Sequence, residues 1–302
     1  MTLTAAILLI TSALTHAGWN CFSKTDYPST ASFLLANIFG TLLVLPLLIY
    51  GRDQVIDIVF RLWPLLLLTG FFQALYFSGL AYAYRRGELS VAYPLARSLP
   101  ALMVTMVAFL SGQGGSVGNA VLVGIALIIA GGFLIPLQSF RDFSLHRYGS
   151  IAIFAAAVAA AGTAGYSLTD DYALDLIRGN RTVSLRENFL IAFYYIGLQQ
   201  MTTIFWQALA VLPNKRERDL FRKQIARPGS SLVKGTGILV TYALVLISMG
   251  YVTNVSYVVA FRQLSIPIGL ILGMLFLKEI AYRPKIAAVV LLFAGVVLVG
   301  LG

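Results

Sequence analysis

Apolar runs of roughly the ~20 residues needed to cross a bilayer succeed one another along the whole chain. Ten can be drawn, at about 4–23, 30–50, 62–84, 89–110, 117–137, 149–169, 188–212, 233–251, 255–277 and 284–301. A chain written this way has few options, because lipid leaves backbone polar groups no partner outside a helix or a closed barrel. Only 11% of the residues are charged, against about 25% in soluble domains. The sequence therefore predicts an all-α membrane protein of ten transmembrane helices, multi-pass in a cell (plasma or inner) membrane with the lipid bilayer as its surroundings.

The net charge of +10 lies in the short connections between runs, so it reads as topology and not as affinity for nucleic acid. Loops after odd-numbered runs hold 15 Lys and Arg, those after even-numbered runs 5. By the positive-inside rule the richer side is cytoplasmic and both termini are outside. Two connections are longer. That at 170–187 mixes acids with Arg178, Arg181 and Arg186; that at 213–234 carries seven basic residues, with Leu220, Phe221 and Ile225 available to the lipid interface. The start lacks a basic signal-peptide region, so the first run is read as retained. The single cysteine, Cys21, excludes an internal disulfide and a cysteine metal cluster. No metal and no cofactor is expected.

Arg97 stands in Tyr93-Pro94-Leu95-Ala96-Arg97-Ser98-Leu99-Pro100, about nine residues into the fourth run or ~13 Å along a helix, near mid-membrane. Arg262 holds the same place in the ninth, before Pro267. A central charge costs roughly 2.5–3.5 kcal/mol even on the lenient scale, so each arginine needs a reason. One is contact with a carboxylate or phosphate of a substrate. Another is binding to carbonyls exposed at the proline breaks, or snorkelling to the interface. All twelve acids are expected in loops or at run ends, which favours the substrate.

An internal repeat accompanies the paired arginines. Ala17-Gly18-Trp19-Asn20 is echoed by Ala164-Gly165-Tyr166-Ser167, and Leu127-Ile128-Ile129-Ala130-Gly131 by Leu291-Leu292-Phe293-Ala294-Gly295. Five runs is an odd number, so two related halves, 1–146 and 147–302, would enter the membrane from opposite sides as inverted repeats around a central cavity.

His16-Ala17-Gly18-Trp19-Asn20 followed by Lys24, Tyr93-Pro94-Leu95-Ala96-Arg97, and Leu277-Lys278-Glu279 before a last Ala/Gly-rich run resemble, in order and spacing, the EamA type of the drug/metabolite transporter superfamily. The resemblance covers essentially the whole chain. It implies a basket of helices with a central cavity and export or exchange of small metabolites by alternating access. Glu279 has no counterpart after the fourth run, where Ser111-Gly112-Gln113-Gly114-Gly115 stands.

Other candidates for the substrate site are polar or aromatic residues within apolar runs. His16, Asn20 and Lys24 share one helix face, with Trp19 beside it. His16 is the candidate for a coupling proton and Lys24 for an interfacial anchor. Tyr93 lies one turn before Arg97. Gln73 with Tyr76, Thr163 with Tyr166 and Ser167, and Gln200, Thr203 and Gln207 line a pathway or join helices, and Gly269-x-x-x-Gly273 is a close-packing motif. Catalytic signatures are missing: His16 and His146 are far apart, carboxylates are not paired in mid-run, and no phosphate-binding loop is present. The expectation is a non-enzymatic secondary transporter of a small anionic or zwitterionic metabolite, compatible with a homodimer. Export of amphipathic cations or neutral drugs is the alternative within the class; a membrane enzyme or a non-transporting scaffold is the alternative outside it.

Overall fold

The computed structural model describes residues 2–23, 29–86, 89–110, 118–134, 137–142, 151–179, 183–226, 228–276 and 282–301. The fold is all-helical, with no strand among the described residues. In chain order the helices are α1 (Leu3–Ser23), α2 (Thr30–Tyr50), α3 (Arg52–Arg86), α4 (Leu89–Leu110), α5 (Asn119–Leu134), α6 (Ile151–Arg178), α7 (Leu185–Val211), α8 (Lys215–Ile225), α9 (Gly229–Met249), α10 (Val255–Phe261), α11 (Ser265–Phe276) and α12 (Arg283–Leu301). Within the described residues each expected run overlaps a helix, and the ninth is divided between α10 and α11. Among the described residues three helices are long and apolar enough to cross a membrane: α2, α3 over Arg52–Ala83, and α9.

The surface is unlike that of a soluble bundle. Leu3, Ile7, Ile10 and Leu14 make an exposed stripe on α1, and Ile286, Val290, Phe293 and Val297 another on α12. Asn37, Asp170, Arg178, Asn188, Gln199, Gln207 and Arg262 are meanwhile buried. Apolar ridges outside and hydrogen-bonded polar side chains inside suit a chain surrounded by hydrocarbon.

Small residues set the helix contacts. Gly79 lies against Ala155 and Ala159, and Gly162 against Phe72 and Tyr76, so α3 and α6 run antiparallel with backbones almost touching. The same holds for α5 and α12 at Gly124/Gly295 and Gly131/Ala288. On α1, Ser12 donates to the Thr241 carbonyl at 2.9 Å and Trp19 covers Gly237, which makes α1 antiparallel to α9.

Three sequence expectations need correction here. The mixed-charge stretch 170–187 is partly helical: α6 continues to Arg178, because Ala173, Leu174 and Ile177 extend its buried face past Asp170, and α7 begins at Leu185. Arg178 then ends the helix by donating to Asn188 Oδ1 and to the Leu246 carbonyl, each at 2.8 Å, so it ties α6 to α7 and to the end of α9. The third run is also longer than drawn, since α3 starts at Arg52.

The third correction concerns 213–234. This stretch forms α8, opened by Asn214 as N-cap. Leu220 and Phe221 pack on Ala31, Leu34 and Val211, whereas Ile225 stays exposed. Glu217 is buried beneath α8, where it accepts from the Ala31 backbone N–H at 3.0 Å and from Arg85 at 2.5 Å. One carboxylate thus caps the start of α2 and holds the end of α3. Lys234 adds a hydrogen bond to Ser32 at 2.9 Å.

Candidate functional site

The ninth run is broken, and the break makes the site. Pro267 has no N–H to donate to the Gln263 carbonyl one turn back, so a continuous α-helix is disfavoured there. The chain answers with a 3-10 turn at Arg262–Leu264 between α10 and α11. Its polar groups are collected locally: Ser265 Oγ donates to the Arg262 carbonyl at 2.8 Å, and Gln263 Nε2 to the Val259 carbonyl at 2.9 Å. The break turns Arg262 into the bundle, where it is 8% exposed.

Two tyrosines flank the guanidinium. Its carbon lies 5.6 Å from the Tyr166 ring centre and 5.4 Å from that of Tyr242, and the two rings meet edge to face at 5.3 Å. Arg262 Nη2 donates to the Tyr166 hydroxyl at 2.8 Å, and Nη1 lies 3.5 Å from Ser167 Oγ. Cation–π contacts of this kind are worth about 2 kcal/mol when desolvated, which offsets part of the cost of burying the charge. Tyr76 extends the aromatic wall, edge to face with Tyr166 at 5.9 Å.

Behind Tyr242 stands Asp170, fully buried on α6. Its carboxylate accepts from Thr69 at 2.5 Å, Gln199 at 2.7 Å and Tyr195 at 2.8 Å, and also from the Tyr242 hydroxyl. Four helices (α3, α6, α7 and α9) are thereby joined at one acid. Tyr242 carries out two tasks, donating to Asp170 at its tip while its face receives Arg262.

The expectation that every acid lies in a loop or at a run end is therefore overturned by Asp170, about two turns inside α6. The local signal was present: Tyr166 and Asp170, like Tyr195 and Gln199, are four residues apart and share a helix face. Charge counting hid it, because Asp170 begins a charged stretch. Tyr242 carried no signal at all, being one aromatic in an apolar run.

The structure brings together Arg262, Tyr166 and Tyr76, with Ser167 at the edge. His16 and Trp19 form a second buried group on α1, edge to face at 5.0 Å. Gln73 is buried on α3 one turn from Tyr76. Gln200 and Gln207 follow the helix-joining alternative, paired across to α2 through Thr41 and Asn37, and Thr203 bonds the Gln199 carbonyl on its own helix. Asn20 lies on α1 and Tyr93 and Arg97 on α4, but their side chains lie outside the described residues, as do Lys24, His146, Lys278 and Glu279. Among the described residues no cluster of His, Cys, Asp or Glu has metal-binding form.

No protein-family profile matches the chain, and no curated protein matches it in sequence. Similarity lies in the fold, with 23 chains of solved structures matching. One of them, described only as the crystal structure of a protein, aligns over 100% of this chain and 98% of its own, at 16% identity and a TM-score of 0.65.

Proposed function

We propose that the protein is a secondary-active membrane transporter of the EamA drug/metabolite type, an exporter or exchanger of a small anionic or zwitterionic metabolite. Ten membrane crossings in two inverted five-helix halves would rock around a central site containing Arg262 and Arg97. Both termini would lie on the non-cytoplasmic side.

Helix packing supports the inverted repeat. If α1 to α5 correspond to α6, α7, α9, α10–α11 and α12, each major contact has its counterpart. The pairs are α1 on α9 with α6 on α3, α2 on α9 with α7 on α3, and α4 on α6 with α11 on α1; α5 on α12 and α2 on α7 map onto themselves.

The observation that carries the functional reading is the helix break that holds the Arg262 guanidinium buried between Tyr166 and Tyr242. Planar, permanently charged and multiply donating, it suits a carboxylate or phosphate. The rings of Tyr76, Tyr166 and Tyr242 favour a second reading, export of amphipathic cations.

Thermal unfolding against a panel of phosphorylated acids, carboxylates, amino acids and amines separates the two. A ligand at 100 times its Kd adds about 2.7 kcal/mol. Stabilisation by anions that disappears in Arg262→Gln supports the first reading; stabilisation by amines alone replaces it with the second.

A further inference from the structure

The hydrogen bonds around Asp170 have a direction. The amide nitrogen of Gln199 can only donate, and it does so to Asp170 Oδ2 at 2.7 Å and to Thr69 Oγ1 at 2.8 Å. Having accepted there, Thr69 sends its own hydrogen to Asp170 Oδ1. The Tyr195 hydroxyl reaches Oδ1 and the Tyr242 hydroxyl Oδ2. Four donors fill the roughly four acceptor positions of an ionised carboxylate. A cation has no place in such a shell, because every neighbour offers a hydrogen.

Among the described residues, few charged or titratable groups face this acid. From α7 there is Tyr195, from α9 Tyr242, and from the 3-10 turn Arg262 behind Tyr242. α3 presents the uncharged Thr69, and α6 itself carries Tyr166 one turn before and Asp171 next in the chain.

We propose that Asp170 is the proton-binding group of this protein and that Tyr242 links its protonation to the state of Arg262. The inference deepens the transporter reading by supplying a coupling ion, and it assigns that role to Asp170 in place of His16. A proton added to Oδ2 turns one of that oxygen's two acceptor positions into a donor, and Gln199, which can only donate, keeps the other. The Tyr242 hydroxyl must then accept, and its own hydrogen loses its acceptor. An unsatisfied buried hydroxyl is costly, so the ring leaves its position. With the ring goes one of the two faces that hold Arg262. Protonation therefore favours a small anionic ligand at Arg262, and by reciprocity the anion favours the proton. Proton and anion bind together.

Infrared difference spectra of the purified full chain in detergent, recorded between neutral and acidic pH, test this without a known substrate. A protonated-carboxyl C=O band grows in the wild type, is lost in Asp170→Asn and is displaced in Asp170→Glu. The tyrosine ring signal that accompanies it is reduced in Tyr242→Phe, and indicator dye counts one proton fewer per chain for Asp170→Asn. A band that survives in Asp170→Asn overturns the assignment; should that variant not fold, an undisplaced band in Asp170→Glu does the same. A band with no Tyr242 contribution overturns the link to Arg262. A wild type that shows the full signature, yet is stabilised by no anion or zwitterion of the panel, keeps the proton site and removes the reading of an anion or zwitterion transporter.

Discussion

Gly124 and Gly295 meet reciprocally where α5 crosses α12: a Cβ on either would lie 2.5 Å from the carbonyl oxygen of the other. Neither backbone can yield without moving its helix. Overpacking a tight contact costs about 1–3 kcal/mol, and a contact against backbone belongs at the upper end. Gly124→Val and Gly295→Val are therefore expected to lower the midpoint of thermal unfolding in detergent. The double variant should fall well short of the sum of the two, because both relieve their clash by the same helix separation.

Arg262 and Arg178 are both buried arginines and should respond differently to substitution. Arg178 serves the ends of α6 and α9 through Asn188 and the Leu246 carbonyl. Arg178→Lys loses the fork geometry and should cost about 1.5–3 kcal/mol, read in chemical or thermal unfolding, with ligand-induced stabilisation retained.

For Arg262→Gln the expected pattern is the reverse. The Tyr166 and Tyr242 rings still pack edge to face, so secondary structure by circular dichroism persists. Stabilisation by anionic ligands is lost by a hundredfold or more in apparent affinity, about 2.7 kcal/mol. Retention of anion binding in this variant excludes Arg262 from the site.

Glu217 holds the basic helix α8 down on the bundle. Glu217→Ala strands Arg85 and frees the Ala31 N–H, at a cost of about 1–3 kcal/mol. Hydrogen exchange should rise over α8 and the first turn of α2, while the region of Tyr166 and Tyr242 stays protected. Equal acceleration throughout the chain would show that α8 is part of the cooperative core.

Much of the architecture was legible in the residues. Apolar length located most of the helices, though not α8 or the break between α10 and α11, because a run of that length and composition has few other ways to satisfy its backbone. Prolines and polar residues within those runs pointed to Arg262, Tyr166, Tyr76 and the α1 face of His16 and Trp19. Helix ends were less legible, since α6 carries a buried Asp170 and Arg178 that look like loop charges until their partners are known. The amphipathic α8 was hidden for the converse reason: part of its apolar side, Leu220 and Phe221, packs on the chain itself, and only Ile225 stays exposed.

What the sequence by itself determined is the all-helical class, the order of the helices and the presence of charge where burial is expensive. Tertiary structure alone decided how that charge is accommodated. Asp170, Tyr242 and Arg262 lie 20 to 92 residues apart along the chain, from 262 − 242 = 20 and 262 − 170 = 92. Hydrogen bonding and ring contact act only over a few ångströms, so their linkage exists only once α6, α9 and the break before α11 have packed together.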